Sequence, residues 1–194
     1  MSEDLAITKE NTALVVIDLQ KGIASRETYP NGSPTVISNA SSLAASFREN
    51  KMPVFLVHVS ASDAERLKAT SDESMPPRPA QMSSDWSDFV PELNKSDSDI
   101  VITKKQWGAF YGTELELQLR RRNISTIVLC GIATNYGVES TARFAYEYGF
   151  QQIFAEDAMS SMSKEMHDAS VNYALKRMGR VRKTEQILSA LKQK

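Results

Sequence analysis

The chain has 194 residues, 41% hydrophobic and 24% charged, with a net charge of -1 and one cysteine. That length fills one domain with a sizeable core, and a near-neutral balance without a basic block argues against nucleic acid or an anionic membrane as partners. A single cysteine excludes an intrachain disulfide and suits a reducing compartment. No apolar run approaches the ~20 residues of a membrane span, and the polar first ten residues lack a signal core, so a cytoplasmic protein is expected.

Residues 13–19 (Ala-Leu-Val-Val-Ile-Asp-Leu) are continuously apolar around one acid, the pattern of a central parallel strand covered on both faces. Residues 35–49 place Val36, Ile37, Leu43, Ala44 and Phe47 at helical spacing, and residues 53–59 read as a second strand. Residues 60–98 hold most of the prolines and read as a long connection, either a lid or a subunit contact, in which Arg78 and Trp86 are candidates to reach the site of this or a neighbouring subunit. A short strand follows at 99–103. Thr113 to Glu116 reads as a capping box opening a helix to about residue 122, with Arg120, Arg121 and Arg122 in its solvated last turn. A strand at 125–130 leads to a helix over 135–148, closed by Gly149. A strand at 151–156, a helix over 164–178 capped by Ser163, a strand at 180–182 and a helix from Thr184 to about 191 complete the chain. This alternation predicts an α/β fold: a three-layer α-β-α, doubly wound six-stranded parallel sheet of Rossmann-like type in one domain, 1–194. Neither a Gly-x-Gly-x-x-Gly after the first strand nor a Walker-type loop is present, which disfavours dinucleotide and nucleoside triphosphate sites.

Three stretches carry candidate chemistry. Asp18 sits near the C-terminal end of the first strand, where ligands of open α/β sheets bind and where a buried carboxylate costs several kcal/mol unless paired or protonated. Lys104, in Ile-Thr-Lys-Lys-Gln-Trp-Gly-Ala-Phe-Tyr-Gly-Thr (102–113), ends the third strand and is its natural partner. The turn Gly-Ile-Ala-Thr-Asn-Tyr-Gly (131–137) joins a strand to a helix and offers backbone N–H groups at that edge. Gln20 shares a face with Asp18 and is placed to orient it or a water. Trp107, Phe110 and Tyr136 flank the site, as pocket walls or as loop anchors.

Together these stretches resemble the isochorismatase-like hydrolases, often called cysteine hydrolases. Val-Val-Ile-Asp-Leu-Gln (15–20) is similar to the family's first-strand motif, whose Asp is the acid/base. The 102–113 stretch resembles Lys-x-x-aromatic-x-Ala-Phe-x-Gly-Thr and aligns the catalytic lysine with Lys104, not Lys105. The resemblance further implies a cis Ile132–Ala133 peptide, an oxyanion site made by the N–H groups of Ala133 and Gly137, a small-molecule substrate and a homo-oligomer, dimer or tetramer.

Most of the family carries a nucleophilic cysteine where this chain has Gly137. Cys130 reads as a small core hydrophobe, Ser140 lacks an activating histidine, and Thr134 reads as a turn-stabilising group. The isochorismatase branch also lacks the cysteine, often carrying glycine, and hydrolyses a vinyl ether with the Asp as proton donor and no covalent enzyme intermediate. The flanks Ala133-Thr134-Asn135 and Val138-Glu139-Ser140-Thr141, however, resemble the general hydrolase branch. Three readings stay open: a hydrolase of a small carbonyl or enol-ether metabolite, isochorismate hydrolysis itself, and a catalytically silent binding or scaffold protein. No cofactor is expected. Nicotinamidase relatives bind a metal through an Asp and two histidines, whereas here His58 reads as a satisfied strand-end group and His167 as a surface residue, so no such metal site is visible.

Overall fold

The computed structural model of the protein describes residues 5–60, 62, 64–65, 67, 69–73 and 82–193. β1 (Thr12–Ile17), β2 (Val54–Val59), β3 (Ile100–Lys104), β4 (Thr126–Ile132), β5 (Gln151–Ser160) and β6 (Arg180–Arg182) form one sheet in the order β3-β2-β1-β4-β5-β6. Every neighbouring pair is parallel. β1 is buried at all of its positions, as a central strand covered on both faces must be. The covering helices are α1 (Lys21–Ala24), α2 (Ser33–Glu49), α3 (Leu115–Arg120), α4 (Glu139–Glu147), α5 (Lys164–Ala169), α6 (Lys176–Met178) and α7 (Thr184–Lys192). α2 carries Pro34 in its first turn, where a missing N–H costs nothing, and buries Val36, Ala40, Leu43, Ala44 and Phe47 at helical spacing.

From β1 the chain winds outwards to β3, returns to β4 beside β1, and winds out to β6. The winding reverses between β1 and β4, which opens a crevice at the C-terminal ends of those two strands. Asp18 and the 133–137 turn both leave the sheet there.

Several boundaries differ from the sequence expectation. β5 runs to Ser160 because, beyond a register shift, Met159 and Ser160 pair again with Gly131 and Ile132. Its Asp157, one residue past the expected strand end at 156, accepts from both the N–H and the hydroxyl of Thr184 at 2.7 Å. Thr184, the first residue of α7, thereby ties that helix to the end of β5. Thr113 does accept from Leu115 N–H at 3.1 Å, but Glu116 turns to Arg120, so the capping box stays open. α4 is preceded by a π turn at Thr134–Val138, and a second π turn at Ser170–Leu175 joins α5 to α6.

α1 was not expected from sequence, and it explains where Trp86 goes. The Gly22 N–H donates to Trp86 O at 3.0 Å, and a Cβ on Gly22 would fall 2.0 Å from the indole Nε1. Gly22 thus leaves room for the indole on the helix, and Trp86 ties the 82–90 segment to α1. Arg78 lies outside the described residues. Gly22→Ala is expected to undock the indole, red-shift its emission in a Trp107→Phe background, and cost about 1–3 kcal/mol as an overpacked contact; unchanged emission would refute the docking role.

Candidate active site

Asp18 is the first residue beyond β1. Its N–H donates to Val57 O at 2.9 Å, and its backbone is left-handed at φ +53, a region that Asp and Asn enter more readily than other side-chain-bearing residues. Lys104, the last residue of β3, reaches across the end of β2 and places Nζ 2.7 Å from Asp18 Oδ2. It donates a second hydrogen bond to Gln106 O at 3.1 Å. Asp18 is 5% exposed and Lys104 2%, so each charge depends on the other. Burial pushes the Asp18 carboxyl above its ordinary value of 3.8, while Lys104 and then His58 pull it back. Among the described residues, Asp18 Oδ1 is buried without a hydrogen-bond partner.

The third part comes from the end of β4. The Ile132–Ala133 peptide is cis, and the π turn follows it. Ala133 O accepts from the N–H groups of Tyr136 and Val138 at 3.1 and 3.2 Å. Gly137 lies inside this turn against the carboxylate: a Cβ there would sit 3.1 Å from Asp18 Oδ2 and 2.8 Å from Ile17 Cγ2. Position 137 is thus within reach of the acid, yet carries nothing that could attack. Cys130 offers no substitute, because it is wholly buried in β4 and burial pushes its thiol up to about 12.

The aromatic candidates separate. Trp107 and Tyr136 meet edge to face at 4.9 Å, and Trp107 O is 3.6 Å from the Cβ position of residue 137. This pair, with Trp107 half exposed, forms a wall beside the turn. Phe110 instead packs its ring on Tyr148 and Phe150 in the core, which makes it a loop anchor and not a pocket wall. Gln20 is also corrected: its amide donates to Val59 O and Trp86 O and accepts from Val59 N–H, so it clamps β2 and the 82–90 segment to the end of β1.

Two groups were missed in the sequence. Thr141, buried on α4, donates to Gly137 O at 2.6 Å and accepts from Ala109 N–H at 3.0 Å, joining the turn to the 107–112 loop. His167, expected at the surface, is 1% exposed and holds Thr134 Oγ1 at 2.9 Å from its Nδ1. The legible signal was its spacing with the buried Val171 and Leu175, which marks one helix face. His58, by contrast, is a satisfied strand-end group, bonded to Ser87 O and Thr103 Oγ1 at 2.8 Å each.

Comparison with known proteins identifies the family. The model of the isochorismatase domain matches residues 12–186. The isochorismatase family protein YecD of Escherichia coli O157:H7 is 53% identical, over 96% of this chain and the whole of that protein. The ureidoacrylate amidohydrolase RutB of Variovorax paradoxus is 30% identical, over 80% of this chain and 71% of that one. The solved structure of an isochorismatase family protein from Burkholderia thailandensis superposes with a TM-score of 0.90 at 40% identity, over 97% of this chain and 98% of that one. The chain belongs to the isochorismatase family of α/β hydrolases.

Proposed function

We propose that the chain hydrolyses a small metabolite by acid–base chemistry without a covalent enzyme intermediate, and that its substrate class is an enol ether. The observation that carries this reading is the contact between the buried Asp18–Lys104 pair and a side-chain-free residue 137. An amide hydrolase of the thioacyl type needs a nucleophile at that point. An enol ether needs only a proton delivered to carbon. Asp18 suits that task because burial holds its proton to higher pH than an ordinary carboxyl, while Lys104 occupies Oδ2 and leaves Oδ1 to carry the proton.

In this scheme the Asp18 proton passes to the terminal alkene carbon and an oxocarbenium ion forms. Water adds to the cationic carbon and returns a proton to Asp18. The resulting hemiketal collapses to a ketone and a free hydroxyl. Lys104 stabilises the aspartate while it is ionised, and the N–H groups of Ala133 and Gly137 bind an anionic oxygen of the substrate. Trp107 and Tyr136 favour a flat ring beside the reacting bond.

Isochorismate is the test compound, since its hydrolysis gives pyruvate and a dihydroxy-cyclohexadiene carboxylate. Pyruvate is expected from the purified protein and not from Asp18→Asn. If isochorismate yields no pyruvate while simple amides are turned over, the enol-ether reading falls.

A further inference from the structure

The strongest buried polar feature outside the reacting groups is the pair Thr134–His167. Thr134 is wholly buried, follows the cis peptide, and is the first residue of the π turn that carries Gly137. His167 approaches it from α5, which lies beside that turn. Both side chains are buried and bonded to each other at the first residue of the turn, which assigns the pair to holding that turn. We propose that His167 is a positioning residue of the site: by donating from Nδ1 to Thr134 Oγ1 it fixes the start of the π turn, and through it the placement of Gly137 against Asp18.

The direction of the hydrogen bond follows from the other ring nitrogen. Nε2 is buried without a hydrogen-bond partner among the described residues. An orphaned N–H is costlier to bury than an orphaned lone pair, so the neutral ring carries its proton on Nδ1. Desolvation holds the ring neutral below its ordinary range. The charges around it are mixed: Glu156 on β5 and Asp168 on α5 favour the imidazolium, whereas Lys183 before α7 and Lys164 on α5 oppose it. A charged ring would need an acceptor at both nitrogens and finds one only at Nδ1. Protonation therefore leaves the Nδ1 bond in place but buries an unpaired, charged N–H at Nε2, which costs stability. The sign is that of a depressed histidine: the fold bears no penalty above about pH 6.5, and the penalty grows as pH falls from there towards the folded value.

The test needs no substrate, so it succeeds or fails independently of the enol-ether reading on which it builds. The chain has two histidines, and nitrogen-15 labelling of both rings resolves them in long-range proton–nitrogen spectra. His167 is expected as the neutral Nδ1–H tautomer at pH 7, and Thr134→Val should disturb its ring signals but not those of His58. Amide hydrogen exchange then reads the turn. His167→Leu and Thr134→Val should speed exchange of the 134–138 amides roughly tenfold, the effect of one lost buried hydrogen bond. His167→Asn, whose amide N–H falls where Nδ1–H does, and Thr134→Ser should restore protection. An Nε2–H tautomer, or turn amides as protected in His167→Leu as in the parent, would overturn the proposal, since leucine replaces the ring as mere core. Should His167→Leu fail to fold, Thr134→Val and the tautomer of the parent decide the matter alone.

Discussion

Asp18→Asn is expected to abolish turnover and Lys104→Met to leave only a residual rate, each destabilising the fold by about 3–5 kcal/mol, while the double variant regains most of the stability and none of the activity. Either single change strands one buried charge, and an uncompensated buried charge costs far more than the pair contributes. Removing both leaves a neutral amide beside an apolar side chain, which the core tolerates. Asparagine accepts the left-handed backbone of residue 18, so the loss is not a backbone effect. Urea denaturation of the four proteins gives the coupling directly. Additive losses in the double variant would show that the two charges do not act as a unit.

The same pair sets the pH dependence. If Asp18 donates the proton, turnover is full where it is protonated and falls as pH rises through its folded value, which burial places above 3.8. The stability that goes with this raised value is likewise present below 3.8 and lost as pH rises through the folded value. Lys104→Met removes the foremost influence lowering that value. Residual turnover in this variant should therefore persist to higher pH than in the parent, and a limb displaced the other way would contradict Asp18 as the donor.

Gly131→Ala should be the most damaging small substitution in the sheet, costing about 4 kcal/mol or more or preventing folding. Gly131 pairs with Ile17 at the switch between β1 and β4. A Cβ there would lie 2.0 Å from Ile17 O, and its φ of +122 is one that L residues rarely adopt. The obstacle is backbone, so no side-chain adjustment relieves it, and the two strands would have to part where Asp18 and the π turn emerge. Gly149→Ala is the control: its φ is also positive, at +77, but the space around it is open, so about 1–2 kcal/mol is expected. Equal losses at the two positions would mean that the close approach of β1 and β4 carries no special weight.

The sheet was legible because burial on both faces leaves an unbroken apolar run, as in 13–19, and because strands and helices alternate. Asp18 and Lys104 could be read because a charge at the end of such a run has few innocent explanations. What escaped was set by tertiary partners. Glu156 looks like a strand end until Asp157 is seen bonded to Thr184. Gln20 shares a face with Asp18, but main-chain groups of Val59 and Trp86 claim its amide. Phe110 sits in the motif beside Trp107, yet its ring turns to Tyr148 and Phe150. His167 has a polar side chain typical of a surface, but its spacing with Val171 and Leu175 puts it on the buried helix face.

Thr141 has a consequence for how such a protein diversifies. One hydroxyl serves both the turn that holds Gly137 and the loop that presents Trp107. A substitution that shifts either segment by a few tenths of an ångström must be absorbed by the other through that shared oxygen. Changes within 107–112 and within 134–138 are therefore epistatic, with combined effects departing from the sum of the single ones. New substrate preference cannot be acquired in the loop alone; it has to be sampled together with the turn, as compensated pairs of substitutions.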